Sequence, residues 1–176
     1  MFKTFYPGEY LDSTYLINFE KLYIDGYRGL IFDIDNTLVE HGVAADQRAI
    51  DLFVKLRKIG FHTCLISNNQ EPRVKPFADK VKTMFVSNAH KPSTVNYIKA
   101  MELMKTDKKN TVFIGDQLFT DVWGANRTGI RTILVKPIGK KEEIQIVLKR
   151  YLEKIVLFFY KKSLIRSKAG QGKEQL

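Results

Sequence analysis

The chain has 176 residues, of which 44% are hydrophobic and 27% charged; this excludes wholesale disorder and supplies enough apolar material for one well-formed domain. The formal net charge is +10, which favours anionic partners (nucleic acid, anionic lipid or a phosphorylated substrate) without choosing among them. One cysteine, Cys64, excludes an internal disulfide. There is no apolar run of about 18 residues to read as a membrane span and no basic-then-apolar N-terminus to read as a secretory signal. The expected location is therefore cytoplasmic, with peripheral attachment to a membrane compatible with the charge.

Residues 1–25 form an aromatic-rich segment with Phe2, Phe5, Tyr6, Tyr10 and Tyr15. It is expected either to cover the core or to border a substrate path. A core domain is expected over 26–140. Within it five short apolar runs, Leu30–Asp33, Phe61–Ser67, Thr83–Ser87, Thr111–Gly115 and Arg131–Val135, are rich in Ile, Val, Phe and Leu and bounded by Gly or polar residues. They read as buried strands, with Cys64 as a small core residue.

Helical patterns alternate with these runs. Asp46–Ile59 carries Ala49, Leu52, Phe53, Leu56 and Ile59 on one face and ends at Gly60. Arg73–Val81 is a helical segment that Pro76 is expected to start. Ser93 is expected to cap a helix with an inner face of Val95, Ile98, Met101 and Leu103, and Thr120–Thr128 precedes Gly129. Strand–helix alternation predicts a five-stranded parallel sheet in a Rossmann-like, three-layer α/β/α sandwich.

A basic amphipathic helix is expected over 141–162. Its inner face is read as Ile144, Leu148, Tyr151, Leu152, Ile155 and Phe159, and Leu157, Phe158 and Tyr160 exceed what one face buries. Lys149, Arg150, Lys154, Lys161, Lys162, Arg166 and Lys168 surround or follow it. It is expected either to dock on the sheet or to lie on an anionic membrane. Residues 163–176 are expected to be a disordered tail.

In such folds ligands sit beyond the C-terminal strand ends. Reactive side chains collect there: Asp33 and Asp35 after the first core run, Ser67 and Asn68 after the second, Asn88 and Lys91 after the third, Asp116 after the fourth. Asp33 and Asp35 are two apart, so a regular strand would point both to one side. Crowded carboxylates call for a cation, and oxygen donors suit a hard one such as Mg2+.

The order of Asp33–x–Asp35–x–Thr37, Ser67, Lys91 and the pair Asp116 and Asp121 resembles the haloacid dehalogenase (HAD) superfamily of phosphohydrolases, over about Gly26 to Pro137. The resemblance implies a phosphoryl transfer in which Asp33 is the nucleophile and forms an aspartyl-phosphate, and Asp35 is the general acid and base. It also implies Mg2+ held by Asp33, the Asp35 carbonyl and Asp116, with Asp121 in support. Phosphate would be bound by Thr37, Ser67, Asn68 and Lys91.

The intervals between Asp35 and Ser67 and between Ser67 and Lys91 leave no room for a cap domain, so an open site is expected. The pieces Phe32–Val39, Ser67-Asn68-Asn69, His90-Lys91-Pro92, Gly115–Asp121 and Gly124–Arg127 resemble a capless subgroup that includes phosphatidylglycerophosphate phosphatases. That implies a phospholipid headgroup as substrate. Two other readings stay open: a phosphatase for soluble nucleotide, sugar-phosphate or nucleic-acid-end monoesters, and a non-catalytic anion-binding module. Nucleic acid has only the net charge in its favour, and nothing in the sequence gives an oligomeric state.

Overall fold

Among the described residues the apolar runs and one short N-terminal segment form six parallel strands, ordered β1-β6-β5-β2-β3-β4. They are β1 (Glu9–Leu11), β2 (Gly29–Phe32), β3 (His62–Ile66), β4 (Met84–Val86), β5 (Thr111–Gly115) and β6 (Arg131–Val135). In this computed structural model the described residues are 3–139 and the helix 144–171, whose side chains are described from 151 to 165. Phe2, residues 140–143, the side chains of Ile144, Leu148, Lys149, Arg150, Arg166 and Lys168, and the tail 172–176 lie outside them.

The five expected core strands are present, and the sheet gains a sixth. Glu9–Leu11 pairs with Ile133–Val135 of β6, so the N-terminal segment extends the sheet at its edge. Three residues are too few to show alternation, which is why the sequence does not announce this strand.

Helices cover both faces. On one, α1 (Phe19–Ile24), α2 (Gln47–Ile59) and α3 (Glu71–Val81) pack Phe19, Phe53, Leu56 and Phe77 on Leu30, Phe32 and Leu65. On the other, α4 (Val95–Met104) and α5 (Trp123–Thr128) pack Tyr97, Ala100 and Ala125 on Ile31, Cys64 and Phe113. Neighbouring strand residues thus serve opposite layers, as a two-residue period requires. Each fully buried Leu or Phe contributes roughly 2 kcal/mol of transfer free energy.

Helix α2 matches its expected face and ends at Gly60 with φ of 110°. Others differ. Helix α3 opens at Glu71 with Pro72 in its first turn, and Pro76 sits inside it. Helix α4 is capped at Thr94 rather than Ser93, with no side-chain bond. Its Val95, Ile98 and Leu103 face outward, while Tyr97, Ala100, Met101 and Met104 face the sheet. Both sets have helical spacing; the buried one lets the small Ala100 approach the strands and gives the Tyr97 hydroxyl two carbonyl acceptors, on Thr120 (3.0 Å) and Asp121 (3.3 Å).

Helix α6 (Ile144–Gln171) also turns a different face inward. Glu153, Val156 and Tyr160 are buried, whereas Tyr151, Leu152, Ile155 and Phe159 are exposed. The Glu153 carboxylate accepts the buried Leu118 N–H at 2.7 Å, an interaction that counting apolar residues discards. The helix is continuous through 162, so the expected boundary there is no break: its residues are ordinary helix formers until Gly170. Among the described residues no helix is long and apolar enough to cross a membrane.

Candidate active site

The chain runs from β2 to β3 to β4, then returns to place β5 on the other side of β2. The crevice of this doubly wound sheet therefore opens between the C-terminal ends of β2 and β5, where Asp33 and Asp116 stand. The Asp33 N–H donates to the Ile114 carbonyl at 2.9 Å, carrying the ladder one residue past β2. Carboxylate oxygens of Asp33, Asp116 and Asp121 all lie within 4.8 Å of one another, and all three side chains are buried.

Lys91 enters this cluster from the loop after β4. Its Nζ lies 2.6 Å from Asp33 Oδ1 and 2.6 Å from Asp121 Oδ1. The other Asp121 oxygen accepts the backbone N–H groups of Asp116 (3.2 Å) and Gln117 (3.1 Å). Thr37 donates its hydroxyl to Asp116 Oδ1 at 3.2 Å. Asn68 brackets the Lys91 backbone, accepting its N–H at 2.7 Å and donating to its carbonyl. Ser67 Oγ accepts the Asn69 N–H at 3.1 Å, which leaves the hydroxyl hydrogen for another acceptor.

Asp35 takes part in a separate set of contacts. Its carboxylate accepts from Gly42 N–H (2.8 Å), Asn69 Nδ2 (2.7 Å) and the Arg73 guanidinium (2.9 Å). Arg73 also donates to the Val43 carbonyl at 2.8 Å, so it ties the loop after Asp35 to the start of α3. Asn36 adopts a left-handed φ of 61°, which Asn tolerates, and the turn closes through Asn36 N–H to the Val39 carbonyl at 2.7 Å. From the N-terminal segment, Thr14 donates to the Thr37 carbonyl (2.8 Å) and Tyr15 to the Leu38 carbonyl (2.7 Å).

Burial in a low-dielectric crevice disfavours the ionised form of Asp33 and pushes its pKa up to about 7. Lys91 opposes that rise; Asp121 and Asp35 add to it. For Lys91 burial pulls the other way, but Asp121 and Asp33 more than offset it and hold the ammonium charged. Three close carboxylates against one ammonium leave excess negative charge in a buried place. The donors are all hard oxygens, so a divalent cation fits the cluster, with Asp33, Asp116 and Asp121 the residues able to hold it.

The eight expected site residues come to this edge, as does the Asn88 backbone, whose N–H donates to the Asn69 carbonyl at 2.9 Å, but two support residues gave no sign of their place there. Arg73 gave no signal, because one arginine in a basic chain is unremarkable by composition. Tyr97 lies off the helix face expected from the sequence, yet its hydroxyl donates to the Thr120 and Asp121 carbonyls and fixes the turn that carries Asp121. Two glycines make the fit feasible. A Cβ on Gly115 would lie 2.5 Å from Asp121 Oδ2, and one on Gly124 would lie 2.5 Å from the Tyr97 hydroxyl.

A HAD-hydrolase-like family model matches residues 88–147, the stretch with Lys91, Asp116 and Asp121. The Bacillus subtilis protein named "Probable phosphatase YqeG" is 37% identical over 156 residues, spanning 88% of this chain and 91% of that protein. Glyceraldehyde 3-phosphate phosphatase of Pyrococcus furiosus is 22% identical over 112 residues, 58% of this chain and 46% of that protein. Among solved structures, the cobalt-bound deoxy-D-mannose-octulosonate 8-phosphate phosphatase of Haemophilus influenzae shares the fold, with a TM-score of 0.50, 14% identity, and 80% and 92% of the two chains covered. The similarity to the Bacillus protein runs nearly end to end in both chains, and it places this chain in the HAD superfamily of phosphatases, as a phosphoric monoester hydrolase.

Proposed function

We propose that the protein is a Mg2+-dependent phosphatase that works through a phosphorylated Asp33 and takes phosphatidylglycerophosphate to phosphatidylglycerol. The observation that carries the mechanism is the Lys91 ammonium, buried and 2.6 Å from Asp33, beside two further carboxylates. That arrangement orients the nucleophile and supplies positive charge where phosphoryl oxygens would sit.

In the first half-reaction an Asp33 carboxylate oxygen forms a bond to phosphorus as the ester P–O bond breaks, and Asp35 gives its proton to the departing alkoxide. In the second, Asp35 takes a proton from water, the water oxygen bonds to phosphorus, and the bond to Asp33 breaks. Free carboxylate and inorganic phosphate result. Ser67, Lys91 and the Asn68 N–H would bind phosphoryl oxygens, with Thr37 acting from its place on Asp116. Mg2+, held by Asp33, Asp116 and the Asp35 carbonyl, would neutralise charge between nucleophile and phosphate; Asp121 would orient Lys91.

The lipid substrate is supported by the space above the site. Only the loop 33–46 with α2 separates β2 from β3, and only α3 separates β3 from β4. An enclosing cap is absent from both intervals, which suits a substrate whose bulk stays in a membrane at the cytoplasmic surface. A soluble monoester is the competing reading, favoured by the Pyrococcus relative's name.

Phosphate release from phosphatidylglycerophosphate in mixed micelles with Mg2+, beside glyceraldehyde 3-phosphate and other soluble monoesters, separates the two. Release from the lipid far above the soluble compounds, lost in Asp33→Asn, is expected. Release from the soluble compounds alone would remove the lipid assignment and leave the mechanism standing.

A further inference from the structure

Helix α6 turns one apolar face to the domain and shows a second to solvent. The docked face is Glu153, Val156 and Tyr160, with Tyr160 edge-on to Tyr6 at 5.5 Å. About half a turn away, Tyr151, Ile155, Phe158 and Ile165 recur at intervals of four, three and seven residues, exposed by 63%, 53%, 62% and 69%. Such spacing makes one stripe along the helix. A stripe of large exposed apolar side chains on a folded domain marks a surface for contact.

The charge beside the stripe identifies the occupant. Lys154, Lys161 and Lys162 are exposed, and Lys162 lies within the stripe, four residues after Phe158. Glu153 is the one carboxylate in the sequence 144–171, and it is buried on the opposite face, bound to the Leu118 N–H. Pairing of two copies along this stripe would set lysine against lysine with no carboxylate to answer. Phosphate headgroups over an acyl layer answer both features, and lysine stems can lie along the apolar boundary while their ammonium groups stay at the phosphates.

We propose that the outward face of α6 binds an anionic membrane surface, lying in the plane of the interface. Tyr151, Ile155, Phe158 and Ile165 enter the headgroup–acyl boundary, and Lys154, Lys161 and Lys162 meet lipid phosphates. The Glu153–Leu118 bond ties the helix to the turn that carries Asp121, so docking would hold that turn with the domain at the membrane. Delivery of a lipid substrate in this way rests on the phospholipid reading above; the binding itself does not.

The test is flotation of the full chain with vesicles of phosphatidylcholine alone and of phosphatidylcholine with one quarter phosphatidylglycerol. Binding to the anionic vesicles only, weakened by high salt, is expected. Phe158→Glu and Ile155→Glu should each weaken it at least tenfold, and joint replacement of the three lysines by Ala should weaken it on the order of a hundredfold, at about fivefold per charge. Unchanged hydrolysis of p-nitrophenyl phosphate shows that the variants are folded. Failure to bind anionic vesicles at low salt, or binding unmoved by the substitutions, overturns the proposal. So does a dimer in sedimentation that Phe158→Glu dissociates without any vesicle binding, which would make a second copy the occupant. Hydrolysis of short-chain phosphatidylglycerophosphate below its micellar concentration is scored separately. It can succeed where docking fails, or fail where docking holds, so the substrate reading and the docking surface stand or fall apart.

Discussion

Replacing Lys91 by Met removes the cation between Asp33 and Asp121 while keeping most of the side chain's length. The ammonium lies 2.6 Å from each carboxylate, and none of the three side chains is more than 8% exposed. The variant leaves Asp33 and Asp121 buried without the ammonium between them. Removing one member of a buried pair in this way costs about 3–5 kcal/mol. At about 2–4 °C per kcal/mol for a domain of this size, the expected loss is on the order of 10 °C in Tm.

The loss should also depend on pH. A carboxylate whose folded pKa lies above its unfolded value stabilises the fold below the unfolded pKa, and that contribution disappears as pH rises through the folded value. Without Lys91 to oppose the rise, the Lys91→Met deficit is larger at pH 8 than at pH 5. Circular-dichroism melts at both pH values, in EDTA and in millimolar MgCl2, measure this. The divalent cation should restore more of the Tm in the variant than it adds to wild type, because it replaces the missing charge. A variant as stable as wild type at pH 8 in EDTA would refute the assignment of Lys91 as the compensating charge.

In the cation-free wild type, the raised Asp33 pKa predicts stability that declines from about pH 4 through about pH 7. Cation binding at pH 6 should release a proton, read by calorimetry in buffers of different ionisation enthalpy; no proton release would show that Asp33 is already ionised. Gly115→Ala forces the Asp121 carboxylate off the Asp116 and Gln117 N–H groups. It should cost about 1–3 kcal/mol and at least tenfold in phosphate release, whereas full turnover would show that the turn can yield. Glu153→Leu leaves the Leu118 N–H buried without an acceptor and should lower stability by about 1–3 kcal/mol, while Glu153→Gln keeps an acceptor and most of the stability in the same melts.

The edge that gathers the candidate site residues is legible in the sequence because a parallel sheet collects every C-terminal strand end in one place. Asp33, Ser67 and Asp116 are far apart in the chain, yet each closes or directly follows an apolar run, and Lys91 stands in the loop after another. Fold class follows from the same alternation. The helix faces were harder to read, since α4 and α6 each carry two apolar stripes. What selects between them is a polar contact across the fold: Tyr97 to the carbonyls of Thr120 and Asp121, and Glu153 to Leu118. Strand β1 is hidden for a different reason, its three residues being paired by a partner more than a hundred positions away. Arg73 becomes visible only when folding brings α3 against the loop after Asp35.

If phosphate passes through Asp33, the phosphorylated residue can be trapped. Enzyme quenched during turnover of phosphatidylglycerophosphate, or of any soluble monoester it hydrolyses, is treated with borohydride, which reduces an aspartyl-phosphate to homoserine, and the peptide bearing position 33 is examined by mass spectrometry. Homoserine at position 33 in wild type, with neither trapping nor turnover in Asp33→Ala, is the expected result. Turnover that continues in Asp33→Ala, or homoserine found at another aspartate, would contradict it.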